Sequence, residues 1–264
     1  MRSLVPERIA VFGGVYSNYL ALEAACRDAL ARGAQSLYCL GDLGAFGPHP
    51  ERVFPILEQY HVTTILGNYE ESLSSGRADC NCGYTDPRDN HFAQISYDYT
   101  RRNTSDAAKK WMSTLPAALR LEFGGRKVLM AHGSPRRINE FLWQSTSPVA
   151  FLSRMLDEHR TDILLVTHTG LHWRRSLPGD RDVVNVGAVG RPPNNGRTAV
   201  YYTLLTHRDR LEVEFVPVDY DGERLAREMR AEKLPEEFAQ TILSGWWTTC
   251  LEILPAKERA AGRF

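Results

Sequence analysis

The feature that most narrows what this chain can fold into is the alternation of its first third. A short apolar run, Ile9–Phe12, precedes Asn18–Arg32, where Leu22, Ala25 and Ala29 recur at helical spacing and Gly33 provides a stop. Ser36–Leu40 is a second apolar run. Pro50–Tyr60 is a second helical segment with Val53, Ile56 and Leu57 on one side, and Val62–Leu66 is a third run. Strands and helices alternating over such short connections predict parallel strands joined by right-handed crossovers. Sheets built this way take their ligands beyond the carboxyl ends of the strands, so the loops after Phe12, Leu40 and Leu66 are the ones to inspect.

Further along, residues 72–92 are polar, contain Cys80-Asn81-Cys82, and read as a surface excursion. Helices are expected near Phe92–Arg102 and Ser105–Leu115, with Ser105 a suitable N-cap. Leu119–Phe123 and Arg126–Met130 flank Gly124-Gly125 and read as a strand pair around a tight turn. A helix near Pro148–His159 leads to the apolar strand Ile163–Val166, and strand-like segments recur at Val183–Val186, Ala199–Leu205 and Leu211–Val216. Asp221–Cys250 reads as mostly helical and ends in a basic, frayed segment. The expectation is one domain over residues 1–264, with a polar cap segment near 72–115 and a helical extension near 221–264.

Composition removes several classes of function. Lys+Arg number 32 and Asp+Glu 32, so no broad field favours nucleic acid or an anionic membrane. No apolar run approaches the roughly 18 residues of a membrane helix. Met1–Arg8, with Pro6 and Glu7, makes a poor leader. Five cysteines are too few for a disulfide scaffold of this size, so a reducing cytoplasm is the expected location. Cys80-x-Cys82 with His91 nearby suggests a second metal site or a redox pair, while Cys26, Cys39 and Cys250 lie in segments expected in the core.

The chemistry-bearing residues follow the apolar runs. Gly41-Asp42 comes after the second strand, Gly67-Asn68-Tyr69-Glu70 after the third, His132-Gly133 after Arg126–Met130, and Thr167-His168-Thr169-Gly170-Leu171-His172 after Ile163–Val166. A carboxylate, an amide carbonyl and imidazoles suit a divalent transition metal such as Mn²⁺, Fe²⁺ or Zn²⁺.

In this order, closed by Asn185-Val-Gly-Ala-Val-Gly-Arg-Pro192, the motifs resemble those of the calcineurin-like metallophosphoesterases, and of their small phosphodiesterase-type branch, over roughly residues 8–216. The resemblance implies an α/β fold, a four-layer αββα sandwich of two sheets flanked by helices, with one or two metal ions. It implies that Asp42 bridges both metals, that Asn68, His132 and His168 complete the second metal's shell, and that His172 serves the first. Two positions depart from the pattern. Where the family has D-x-H, this chain has Gly14-Val15-Tyr16, and Ser17-Asn18-x-x-Ala21-Leu22 fixes that register. Tyr69 stands where the family has a His or Asp that assists the phosphoryl group.

The expected function is hydrolysis of a phosphomonoester or phosphodiester by metal-activated water, with an altered first metal site and a small phosphorylated substrate. Tyr69 or Arg136 would orient the phosphate. Gly14 and Asn18 could admit a substrate phosphate to backbone N–H groups at the start of a helix. Tyr16 is either an iron ligand or a packing residue. Asn68 is either a metal ligand or a bridge between backbone groups, and Glu70 is a further candidate for the substrate or altered site. Trp246-Trp247 reads as core or as the contact of a homo-oligomer. The alternatives are a catalytically silent homologue that binds a phosphorylated ligand or partner protein, and an iron-dependent enzyme of other chemistry.

Overall fold

The computed structural model describes residues 8–208 and 210–261; the leader reading of Met1–Glu7 and the last residues of the basic tail lie outside them. In chain order the elements are β1 (Arg8–Phe12), α1 (Tyr19–Ala31), β2 (Ser36–Cys39), α2 (Val53–Gln59), β3 (Thr63–Thr64), α3 (Asn68–Ser75), α4 (Pro87–Arg102), α5 (Asp106–Met112), β4 (Ala118–Phe123), β5 (Arg126–Ala131), α6 (Val149–His159), β6 (Ile163–Val166), β7 (His172–Leu177), β8 (Arg181–Val186), β9 (Val200–His207), β10 (Leu211–Val218), α7 (Gly222–Ala231), α8 (Glu236–Ser244) and α9 (Ala256–Ala261). A single 3-10 turn, Pro50–Arg52, opens α2.

Two mixed five-stranded sheets form, in the orders β10-β9-β1-β2-β3 and β4-β5-β6-β8-β7. The parallel β1-β2-β3 unit is the one that the alternation predicts. The central strand β1 is apolar and buried from Ile9 to Phe12 because both of its faces are covered. On β1, Ala10 and Phe12 pack with Leu22, Ala25 and Val53 of the helical layer, whereas Ile9 and Val11 face the other sheet through Val128, Met130 and Leu165. On the second sheet, Leu129, Leu164 and Val166 turn outward to Leu152 and Leu156 of α6. This is the four-layer αββα arrangement. It brings the carboxyl ends of β1, β2, β5 and β6 to one edge.

Three local readings are corrected. The strand β7 has no counterpart in the sequence reading, because only Trp173 and Leu177 are buried and the polar Arg174, Arg175 and Ser176 lie between them, as suits an antiparallel edge strand. The Cys80–Cys82 stretch is not a surface excursion: Cys80 and Cys82 are 5% and 9% exposed, and the two sulfurs are joined in a disulfide. A bonded pair two residues apart is a local staple rather than a scaffold, and its sulfurs are occupied by each other rather than by a metal. Lastly, α8 ends at Ser244, where Gly245 turns at φ 72°, so Trp246-Trp247 belong to a non-helical segment. None of the described helices is long and apolar enough to cross a membrane.

Candidate metal centre

Each loop at the shared edge is bent sharply. Gly41 has φ 89° and Asp42 φ 57°, and a Cβ on Gly41 would lie 2.4 Å from the amide nitrogen of Gly67, so only glycine lets the two loops approach this closely. His168 also takes a left-handed backbone, φ 69°. Non-glycine residues pay for that conformation, and they hold it where the surrounding contacts over-determine it.

The fixing contacts are specific. Glu70 is buried and accepts from three backbone amides: Gly67 (2.9 Å), Asp42 (2.7 Å) and Leu43 (2.8 Å). Its carboxylate therefore ties the Asp42 loop to the start of α3. Burial, and then the nearby Asp42 charge, still push its pKa up to about 7. The amide N–H of Tyr69 donates to Asp42 Oδ1 (3.2 Å), which directs Oδ2 towards His132.

Four side-chain atoms then converge. His132 Nε2 lies 3.2 Å from Asp42 Oδ2, 3.0 Å from Asn68 Oδ1 and 3.1 Å from His168 Nδ1. What each residue does with its other polar atom identifies the chemistry. His132 Nδ1 donates to the carbonyl of Leu40 (2.5 Å), His168 Nε2 donates to the carbonyl of Cys82 (3.2 Å), and Asn68 Nδ2 donates to the carbonyl of Cys80 (2.8 Å). A carbonyl only accepts, so each partner fixes the N–H on the outer side and leaves the inner atom a bare lone pair. Four acceptor atoms facing one another without a hydrogen between them repel unless a cation or a proton sits among them. Imidazoles oriented by backbone carbonyls are the usual surroundings of a metal.

The electrostatics agree. Burial opposes charge on both Asp42 and His132, but their mutual attraction wins: the Asp42 pKa falls and that of His132 rises. His168, desolvated and beside His132, is pushed down to about 3 and stays neutral. Asp42, His132 and His168 offer ligand atoms within 4.8 Å of one another.

The other half of the edge is different. Tyr16 is buried, with φ 51°, and its ring stands edge-on to Phe46 at 5.3 Å between centroids. A Cβ on Gly14 would lie 2.4 Å from Cε1 and 2.5 Å from Cζ of that ring. An aspartate at position 14 and this placement of the Tyr16 ring therefore exclude each other. The tyrosine ring fills the space that a side chain at position 14 would need. Burial first, and the Asp42 charge second, hold the Tyr16 phenol well above its usual pKa. Two residues after His168 is Gly170, packed under the Trp247 ring. Arg191 completes this half: it is 6% exposed, its guanidinium carbon is 3.9 Å from the Trp247 ring centroid and 5.1 Å from that of Phe46, and Nη2 donates to the carbonyl of Thr249 (2.7 Å). Tyr16, His168, Gly170 and Arg191 line one cavity of about 10 Å³.

The structure thus brings Asp42, Asn68, His132 and His168 together and leaves other sequence candidates outside. His172 opens β7 with its ring against Tyr201 (4.7 Å) and Phe215 (4.5 Å) of the opposite sheet, where burial pushes its pKa down to about 4. The Tyr69 hydroxyl is paired with Ser96 (2.9 Å) and its ring packs on Tyr97, so the residue positions Asp42 through its backbone instead. Arg136 is held by Glu140 over the ring of Phe151 on an exposed loop. Asn18 caps α1 through Ala21 (3.0 Å) and donates to the carbonyl of Gly190 (3.1 Å), which locks the Tyr16 loop to the Arg191 loop. Arg191 was missed by the sequence reading; its signal was its place inside the closing motif, where Gly190-Arg191-Pro192 follows Asn185.

Known proteins place this geometry. The chain is 23% identical over 258 residues to an uncharacterized protein of Methanocaldococcus jannaschii, covering 92% of this chain and 100% of that one. Its fold is similar to that of a hypothetical protein of Pyrococcus horikoshii OT3 (TM-score 0.76, 21% identity, covering 91% of this chain and 99% of that one). It is also similar to a metallophosphoesterase of Sphaerobacter thermophilus (TM-score 0.69, 22% identity, covering 90% and 98%). The description of the calcineurin-like phosphoesterase superfamily domain matches residues 8–209, and with the αββα layers and the ordered motifs this places the chain in the calcineurin-like phosphoesterase superfamily.

Proposed function

We propose that the protein is a metal-dependent phosphoesterase that holds one divalent transition metal firmly, through Asp42, Asn68, His132 and His168. The observation that carries this reading is the convergence of three acceptor atoms on His132 Nε2, all four residues being oriented by an outer hydrogen bond to a backbone group. A cation bound there supplies charge to phosphoryl oxygens and lowers the pKa of a bound water. The chain's residues do the rest. His168 stays neutral at physiological pH and offers its Nδ1 lone pair, and Glu70 keeps the Asp42 turn in place without facing the cluster. A small phosphoester is the substrate class that the family membership supports. The cavity of about 10 Å³ favours a second reading, a homologue that keeps the metal and a phosphorylated ligand without turnover.

The test is turnover of a chromogenic monoester and a chromogenic bis-ester by chelator-stripped protein reloaded with Mn²⁺, Zn²⁺ or Fe²⁺, alongside His132→Ala. Hydrolysis that needs added metal and disappears in His132→Ala supports the phosphoesterase. Metal uptake without turnover of either ester selects the silent homologue, and turnover by stripped protein contradicts both.

A further inference from the structure

Arg191 carries a buried charge that feels the Asp89 carboxylate only at a distance. The residue is 6% exposed, and the structure gives it no carboxylate within ion-pair distance among the described residues. Its flat faces are covered by Trp247 and Phe46, and its hydrogen bond goes to a neutral carbonyl, that of Thr249. A guanidinium has five N–H donors in a rigid fork. Burying it without an ion-pair partner costs desolvation that aromatic faces recover only in part. An anion entering beside it would take the N–H donors that the Thr249 carbonyl leaves free.

Its position says which anion. Arg191 shares a cavity with His168, a member of the four-atom cluster, and with Tyr16, the residue whose ring fills the space beside Gly14. The loop that carries Arg191 is bound to the loop that lost D-x-H: Gly190 N donates to the carbonyl of Gly14 (2.9 Å), and Asn18 donates to that of Gly190. The permanent cation therefore stands in the half of the edge from which metal ligands are missing. We propose that Arg191 is the phosphate-binding residue of this site, its guanidinium taking a phosphate oxygen in place of the absent first metal, with the Thr249 carbonyl as its resting partner. This rests on the phosphoesterase reading for the neighbouring metal, but phosphate binding by Arg191 does not itself require that metal.

The cavity of about 10 Å³ holds roughly one water, so phosphate entry moves the segment that covers Arg191. That segment is held by Trp247 Nε1 donating to the Pro192 carbonyl (2.6 Å), Trp247 N donating to Asn194 Oδ1 (2.8 Å) and Ile253 N donating to Asp89 Oδ2 (2.9 Å). The exchange of Thr249 for phosphate is the step that releases it.

The test is calorimetric titration of chelator-stripped protein with inorganic phosphate, with Tm measured in phosphate-free and phosphate-containing buffer, for wild type, Arg191→Met and Arg191→Lys. The expected result is binding by wild type, at least about 10-fold weaker binding by Arg191→Met, and an intermediate affinity for Arg191→Lys, which keeps the charge but not the fork. In phosphate-free buffer Arg191→Met should melt no lower than wild type, because it removes a buried charge that has no ion-pair partner. Phosphate affinity that is equal in all three proteins, or absent in all three, overturns the proposal. So does an Arg191→Met protein that melts well below wild type or does not fold, since that makes Arg191 a packing clamp. Metal uptake by the same stripped proteins is read separately: loss of metal binding with Arg191-dependent phosphate binding intact condemns the metal reading alone.

Discussion

The two halves of the strand-end edge have been treated in opposite ways by the same fold. Around His132, four polar atoms from four loops are aimed at one point, and each is steered by a second hydrogen bond to backbone. Around Tyr16, the space is occupied by an aromatic ring, a glycine under Trp247 and a guanidinium stacked between two rings. The scaffold is common to both. What differs is whether side chains supply lone pairs or volume. The contrast teaches that one edge can carry a polar cluster and an aromatic filling side by side, because the filling is concerted: Gly14 makes room for Tyr16, and Arg191 brings a fixed positive charge.

The largest expected effect breaks the polar half. His132→Ala or Asp42→Ala removes a ligand, and bound metal, measured by elemental analysis, should fall to background. Turnover should drop by more than the roughly 10- to 100-fold that loss of an outer partner costs. Next, the coupling in the aromatic half can be measured directly. Gly14→Asp alone forces a side chain into the Tyr16 ring and should lower stability by about 1–3 kcal/mol. Combined with Tyr16→His it should cost much less than the sum, giving a coupling of about 1–3 kcal/mol in a double-mutant cycle of denaturant midpoints. Additive effects would separate the two substitutions.

A smaller effect concerns acid stability. His172 has its folded pKa depressed to about 4 by burial, below its ordinary value of 6.5. The unfolded chain thus takes up this proton first, so stability present above about pH 6.5 is lost as pH falls towards 4. His172→Phe should flatten that part of the Tm–pH curve while leaving metal content unchanged; reduced metal content would return His172 to the ligand set. The smallest effect is expected of Arg136→Ala. Its partner Glu140 is half-buried and also accepts from the Ser134 hydroxyl, so the carboxylate keeps a partner when the partly exposed arginine is removed. Turnover should stay within about twofold of wild type, and a larger loss would make Arg136 a substrate contact.

Much of this was legible before any coordinates. The parallel β1-β2-β3 unit, the hairpin at Gly124-Gly125 and the Ser105 cap, which accepts from Ala108 N, follow from periodicity and turn chemistry. So does the convergence of Asp42, Asn68, His132 and His168, since each follows an apolar strand in a known motif order. What was not legible depends on which atoms face each other across the fold. His172 is four residues past His168 in sequence, but the start of β7 turns it onto Tyr201 and Phe215. Arg136 looked better placed than Arg191 because it sits just after His132-Gly133, and only the packing of Trp247 over the edge makes Arg191 the buried one. Glu70 as a clamp on three amides, and the Cys80 and Cys82 carbonyls as orienters, are backbone contacts that no side-chain pattern announces.

The central claim is that one half of the site is complete and the other is not, and metal stoichiometry tests it most directly. Chelator-stripped wild type and His132→Ala, titrated with Mn²⁺ or Zn²⁺ and assayed by elemental analysis after desalting, should retain one equivalent and none, respectively. Two tightly held equivalents in wild type, or one retained by His132→Ala, would contradict the account.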